Sequence, residues 1–115
     1  EKIHIDAAMP FGYVTQKLIE QFSLLAPFGN QNARPLFAQK KVRLLHYRLL
    51  GSGGRAGRYA VEDECGGRYE LLYFGDQEAL STYWEQRKRI NVTYYPELNV
   101  FRGKTQIQFV LQNYQ

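Results

Sequence analysis

Side chains able to make or break covalent bonds are few in this chain and far apart. Cys65 is the single cysteine, so it has no partner for an intrachain disulfide and no cluster in which to hold zinc. His4 and His46 are not spaced as a metal-binding pair, and no serine or cysteine forms a recognisable nucleophile motif with either. Glu62, Asp63 and Glu64 are adjacent carboxylates just ahead of Gly66-Gly67, which reads as a solvated turn rather than a metal site. Asn91-Val92-Thr93 fits the glycosylation pattern but reads most simply as strand sequence. No catalytic residue, metal or cofactor is expected within this segment.

The abundant functional chemistry is cationic. The net charge is +4, and it is unevenly spread. No acidic residue occurs between Glu20 and Glu62, a stretch containing Arg34, Lys40, Lys41, Arg43, Arg48, Arg55 and Arg58. After Gln86, Arg87, Lys88, Arg89, Arg102 and Lys104 face only Glu97. Two basic regions of this kind suit a polyanionic partner. An acidic protein tail would answer the same charge, so a protein-interaction or interdomain bracing module stays open as the alternative.

These charges need elements to position them. With 115 residues, of which 44% are hydrophobic and 15% aromatic, the chain suits one compact domain with one core. No apolar run of about 18 residues is present to span a bilayer, and the first residues lack the pattern of a secretory signal, so a cytoplasmic location without membrane contact is expected. The chain starts at Glu1 rather than Met, and a fragment of a longer protein is expected. Ile3 to Ile5 reads as a strand end. Leu18, Ile19, Phe22 and Leu25 recur at helical spacing, predicting a helix over Thr15 to Leu25 with Thr15 as N-cap and Pro27 and Gly29 at its end.

Beyond Phe37 the texture is β. Val42 to Leu50 reads as a long strand, GSGGRAG as a loop whose glycines cost too much backbone entropy for regular structure, Arg58 to Asp63 as a second strand and Arg68 to Phe74 as a third. Asp76 caps a short helix reaching about Gln86. Ile90 to Tyr95 alternates as a fourth strand, and after Pro96 and a turn at Arg102-Gly103 a fifth shows Ile107, Phe109 and Leu111 against Gln106, Gln108 and Gln112. Three strands, a helix, then two strands is the order of the oligonucleotide-binding (OB) fold. The expected architecture is mainly β with α: a five-stranded OB-fold Greek-key barrel over 36–115, preceded by a helical N-terminal extension and linker over 1–35.

OB barrels grip single strands by joining a basic groove to aromatic platforms, because every base has a flat face on which to stack. The groove crosses the second and third strands between the first and fourth inter-strand loops, here GSGGRAG and NVFRGK. The residues expected to contact nucleic acid are Arg43, Arg48, Arg55, Arg58, Arg102 and Lys104, chiefly through phosphates, with Phe101 as the stacking ring. Tyr59 and Tyr73 are expected in the core, and His46 is expected to be partly buried. Gly54-Arg55-Ala56-Gly57 matches the GxxG of KH domains, but a KH loop joins two helices and this one joins strands.

The stretch LAPFGNQNARPLF resembles the C-terminal OB domain of the bacterial RecJ family, 5′-to-3′ exonucleases specific for single-stranded DNA within the DHH superfamily. Leu25, Ala26, Pro27, Phe28, Gly29, Asn32, Pro35 and Phe37 match the family pattern in place, Ile5-Asp6 and Pro10 resemble its lead-in, and Asn99, Phe101, Gly103 and Gln108 resemble its ending. Gln31 and Ala33 depart from the usual glycine and proline, and around Gly57-Arg58-Tyr59 only a basic residue of the family's run remains. The Asp-His-His motif that holds manganese or magnesium in the family's nuclease core is absent here. The resemblance therefore implies a non-catalytic module with two partners, single-stranded DNA and the parent's own N-terminal nuclease domains. It further implies that the turn-rich stretch fastens helix to barrel.

Overall fold

The computed structural model describes residues 7–25, 35–51 and 53–115, with backbone alone for 22–25. The strand end expected at Ile3 to Ile5 and the turn-rich stretch from Ala26 to Arg34 lie outside the described residues. A short strand β1 (Ala7–Ala8) and a 3-10 turn (Phe11–Tyr13) lead into helix α1 (Gln16–Leu25). The Thr15 hydroxyl oxygen accepts the Leu18 amide at 3.1 Å, the expected N-cap. Five strands follow, β2 (Phe37–Leu50), β3 (Ala56–Glu62), β4 (Arg68–Tyr73), β5 (Ile90–Phe101) and β6 (Lys104–Tyr114), with helix α2 (Gln77–Glu85) between β4 and β5.

The strands pair in the order β2-β3-β4-β6-β5, and β5 returns to β2. All contacts are antiparallel except the short parallel pairing of β4 with β6. The ring is thus a closed five-stranded OB barrel, with β1 added in parallel to the start of β2. Closure rests on β2 serving two neighbours. Its Phe37–Val42 part pairs with β5 and its Arg43–Leu50 part with β3. Two register shifts, between Gln39 and Val42 and between Leu44 and His46, bend the strand where it changes partner. At the first, Lys41 adopts φ 59°. Its amide donates to Asn91 Oδ1 at 3.1 Å and its carbonyl accepts from Arg89 Nη1 at 2.8 Å. Asn91 therefore has a structural task, pinning the bend.

Two strands run longer than their sequence suggests. β2 begins at Phe37 rather than Val42, and β5 continues through Pro96 to Phe101 rather than stopping at Tyr95. Pro96 lies beyond the last β2 pairing, Tyr94 with Phe37, so β5 there has β6 on one side only and a missing N–H can be tolerated. The NVFRGK segment is consequently a hairpin tip, not an open loop. Arg102 (φ 52°) and Gly103 (φ 77°) both take the positive φ that a two-residue turn requires.

Alternation decides the core. Tyr59, Val61 and Leu71 point inward from β3 and β4, Val92 and Tyr94 from β5, and Phe109 and Leu111 from β6, all buried. Asp76 Oδ1 accepts the Ala79 amide at 3.0 Å and starts α2, which buries Leu80 and Trp84 against them. Trp84 Nε1 donates to the Val42 carbonyl at 3.2 Å, joining the helix to β2 where that strand changes partner. The lead-in adds Phe11, whose ring centre lies 4.8 Å from that of Tyr94 and 5.1 Å from those of Tyr69 and Phe109.

Gln77 is a buried polar residue with a full set of partners. Its Oε1 accepts the Tyr59 hydroxyl, and its Nε2 donates to the carbonyls of Tyr73 at 2.8 Å and Gly75 at 3.0 Å. Burial pushes the Tyr59 phenol up to about 12, which keeps it a donor at ordinary pH. Gly57 lets this group approach, since a Cβ there would lie 2.4 Å from Gln77 Oε1. Gln77→Ala should destabilise the fold by about 2–3 kcal/mol, because it removes the acceptor of a buried hydroxyl and the amide donor shared by the Arg55, Tyr73 and Gly75 carbonyls. Urea unfolding followed by tryptophan fluorescence measures the loss.

Candidate nucleic-acid interface

The outer face of β2, β3 and β4 is ordered by register. Arg48 pairs with Arg58 and Arg58 with Leu72; His46 pairs with Ala60 and Ala60 with Glu70; Arg43 pairs with Glu62 and Glu62 with Arg68. Directly paired residues share a face, so these form three rows across the sheet. Leu45, the extra residue of the second bulge, joins them. β4 meets β6 only at Leu71 with Phe109 and Leu72 with Val110, and β5 meets β2 only from Ile90 to Tyr94, so the tip half of the β5–β6 hairpin is not paired to the sheet. Between sheet and hairpin runs a groove of about 810 Å³. Leu45, His46, Arg58, Ala60, Arg68, Tyr69, Glu70 and Leu72 line it from the barrel, and Asn99, Phe101, Gln106, Ile107, Gln108 and Phe109 from the hairpin side.

The sequence-predicted residues divide within this geometry. Arg58 and Phe101 line the groove, and Phe101 is 56% exposed. Arg48 stands exposed beside Arg58 on the next strand. Arg102 and Lys104 sit at the hairpin tip, the Arg102 guanidinium 5.2 Å from the centre of the Phe101 ring. Arg55 lies elsewhere, at a shallow cleft with Leu49, Phe74 and Gln77. Arg43 is committed to Glu62 at 2.6 Å.

Carboxylates hold the floor cations. Glu62 also meets Arg68 at 3.6 Å, and Arg58 Nη1 meets Glu70 at 3.3 Å. Among the described residues Arg48, Arg55, Arg102 and Lys104 form no ion pair. The rim cations are therefore without carboxylate partners, while Arg43, Arg58 and Arg68 on the floor share two carboxylates, Glu62 and Glu70.

Sequence reading passed over Arg68, His46, Asn99, Gln106 and the apolar floor of Leu45 and Leu72. His46 is exposed rather than partly buried, because β2 past its second bulge turns that side chain onto the outer face. Arg68 and Leu72 carry a signal that was available, since they alternate with Glu70 against the inward Tyr69, Leu71 and Tyr73. Leu45 carried none, because a bulge breaks the alternation by which faces are assigned. Tyr59 is core, as expected, and Tyr73 is half-buried and packed against the core. Cys65 is exposed in the turn after β3. Among the described residues no group of three His, Cys, Asp or Glu side chains is suited to a metal, and no helix is long and apolar enough to cross a membrane.

The hydrogen bond from Arg43 holds the Glu62 carboxyl below its ordinary 4.5, with the charges of Arg43 and Arg68 adding to the effect. A carboxyl whose folded value is depressed contributes stability that is present above the unfolded value and lost as pH falls through the folded one. Thermal midpoints should therefore drop as the pH goes below 4.5, and Glu62→Gln should flatten that acid limb by lowering the midpoint modestly at neutral pH, where the contribution is present, while matching the unmodified chain in acid. A variant with an unchanged acid limb would show that the Arg43–Glu62–Arg68 group adds nothing to the fold.

No curated protein matches the sequence. Among solved structures, two crystal forms of the mitochondrial single-stranded DNA binding protein from S. cerevisiae are similar in fold. One has a TM-score of 0.53 at 14% identity, covering 71% of this chain and 94% of that one. The other has a TM-score of 0.52 at 13% identity, covering 71% and 91%. The family model for the RecJ OB domain matches residues 5–113. That span takes in the lead-in, every strand of the barrel and the helix between its third and fourth strands, so the chain belongs to the RecJ OB domain family.

Proposed function

We propose that this chain is the single-stranded-DNA-binding module of a RecJ-like 5′-to-3′ exonuclease, a hydrolase of DNA repair and recombination in the bacterial cytoplasm. Hydrolysis, with its manganese or magnesium ions, belongs in this reading to a nuclease core outside the segment. The observation that carries it is the groove between sheet and hairpin, where an exposed phenyl ring stands beside free cations over a floor in which Leu45, Ala60 and Leu72 lie among ion-paired side chains. Bases stack on Phe101, and phosphates meet Arg48, Arg102 and Lys104 on the rims, while Arg58 between them stays paired with Glu70. Arg43 contributes by holding Glu62 rather than by meeting DNA.

A second reading, that the module braces the nuclease domains or receives an acidic protein tail, is favoured by a different surface. Leu49 and Phe74 are 51% and 61% exposed beside the unpaired Arg55, away from the groove. Arg55 fits that role better than a contact to the strand.

Binding of a fluorescent oligonucleotide across salt concentrations tests the first reading. Affinity should fall steeply with salt and vary little with base composition. R102A/K104A should lower the salt slope by about 0.7 per lost phosphate contact. F101A should cost about 1–3 kcal/mol of binding. Binding that ignores salt and survives all three substitutions would remove the groove from the function.

A further inference from the structure

The hairpin presents an ordered ladder to the groove. Phe101 pairs with Lys104, Asn99 with Gln106 and Glu97 with Gln108, so these residues share one face of the ribbon. Two neighbouring carboxamides, Asn99 and Gln106, therefore lie next to the exposed ring, and both line the groove. The third amide is occupied, since Gln108 Nε2 donates to Glu97 Oε1 at 2.7 Å. Among the described residues neither Asn99 nor Gln106 uses its side chain in a hydrogen bond, and both are exposed.

A carboxamide offers a donor and an acceptor side by side. Each of the four bases shows an adjacent donor and acceptor on its Watson–Crick edge, so an amide free to rotate can match any of them. In a duplex those edges are already paired, whereas in a single strand they are open to protein. The phosphate backbone is anionic in both, so rim cations alone discriminate weakly between them.

Resting on the strand-binding reading above, we propose that Asn99 and Gln106 bind the Watson–Crick edge of a base stacked on Phe101, and so make this groove select unpaired over paired DNA. The arrangement divides the work. Rim cations supply salt-dependent affinity, the phenyl ring supplies stacking, and the two amides supply strandedness without a preference for one base.

The test compares the 115-residue chain with N99A/Q106A on three ligands: an oligothymidylate of about 16 nucleotides, the same strand with abasic sites in place of its bases, and a duplex of equal length. The variant should bind oligothymidylate about tenfold more weakly, with the salt slope and thermal midpoint unchanged. Its affinity for the abasic strand and for the duplex should match that of the unmodified chain. An equal loss on all three ligands, or a changed salt slope, would overturn the proposal while leaving the strand-binding reading in place. Failure of the unmodified chain to bind oligothymidylate would remove both.

Discussion

The barrel depends on one strand changing partners. A sheet closes only if some strand has a neighbour on each side at the right stagger, and here β2 meets that need by pairing with β5 through its first part and β3 through its second. Two bulges supply the bend, and each has further consequences. The first puts Lys41 in the left-handed region, held by Asn91 and Arg89, and Trp84 reaches the adjacent Val42 carbonyl to bring the plugging helix onto the same point. The second turns Leu45 and His46 outward and makes them part of the groove.

A line of stacked rings runs from this strand into the interior. Tyr47, partly exposed, stacks on Tyr59 at 5.1 Å and 12°, and Tyr59 stacks on Trp84 at 6.1 Å and 20°. Tyr59 is further fixed by Gln77, which also gathers the carbonyls at the start of α2. Sheet and helix thus hold each other through directional contacts as well as apolar burial.

The electrostatics of the groove follow from the same register. Strand pairing sets Glu62 opposite both Arg43 and Arg68, and it brings Glu70 within reach of Arg58. Exposed pairs of this kind add little to stability. What they change is the direction of the field: cations with carboxylate partners are poor places for a phosphate, while Arg48, Arg102 and Lys104 have no such competitor among the described residues. The groove is thereby divided into a floor whose cations share carboxylate partners and rims whose cations have none.

Much of this was legible in the residue order. Period-two alternation from Ile107 to Leu111, the Asp76 and Thr15 caps and the glycine-dense loop after Leu50 are local signals, set by side-chain direction and backbone freedom, and together they determine the order of strands and helix. The RecJ OB resemblance was readable for the same reason, since turn residues occupy defined places along a chain. The division of the cations was not readable. Arg43 and Glu62 lie 19 residues apart, and Arg58 and Glu70 lie 12 apart. Whether such pairs meet depends on register, and a slip of one residue would send every side chain to the other face. Composition and periodicity determined that this chain forms a basic barrel with an exposed ring near its tip. Only closure of the barrel decided which charges are neutralised, which amides are left open and how far the hairpin stands from the sheet, because those outcomes arise from contacts between residues that local sequence does not bring together.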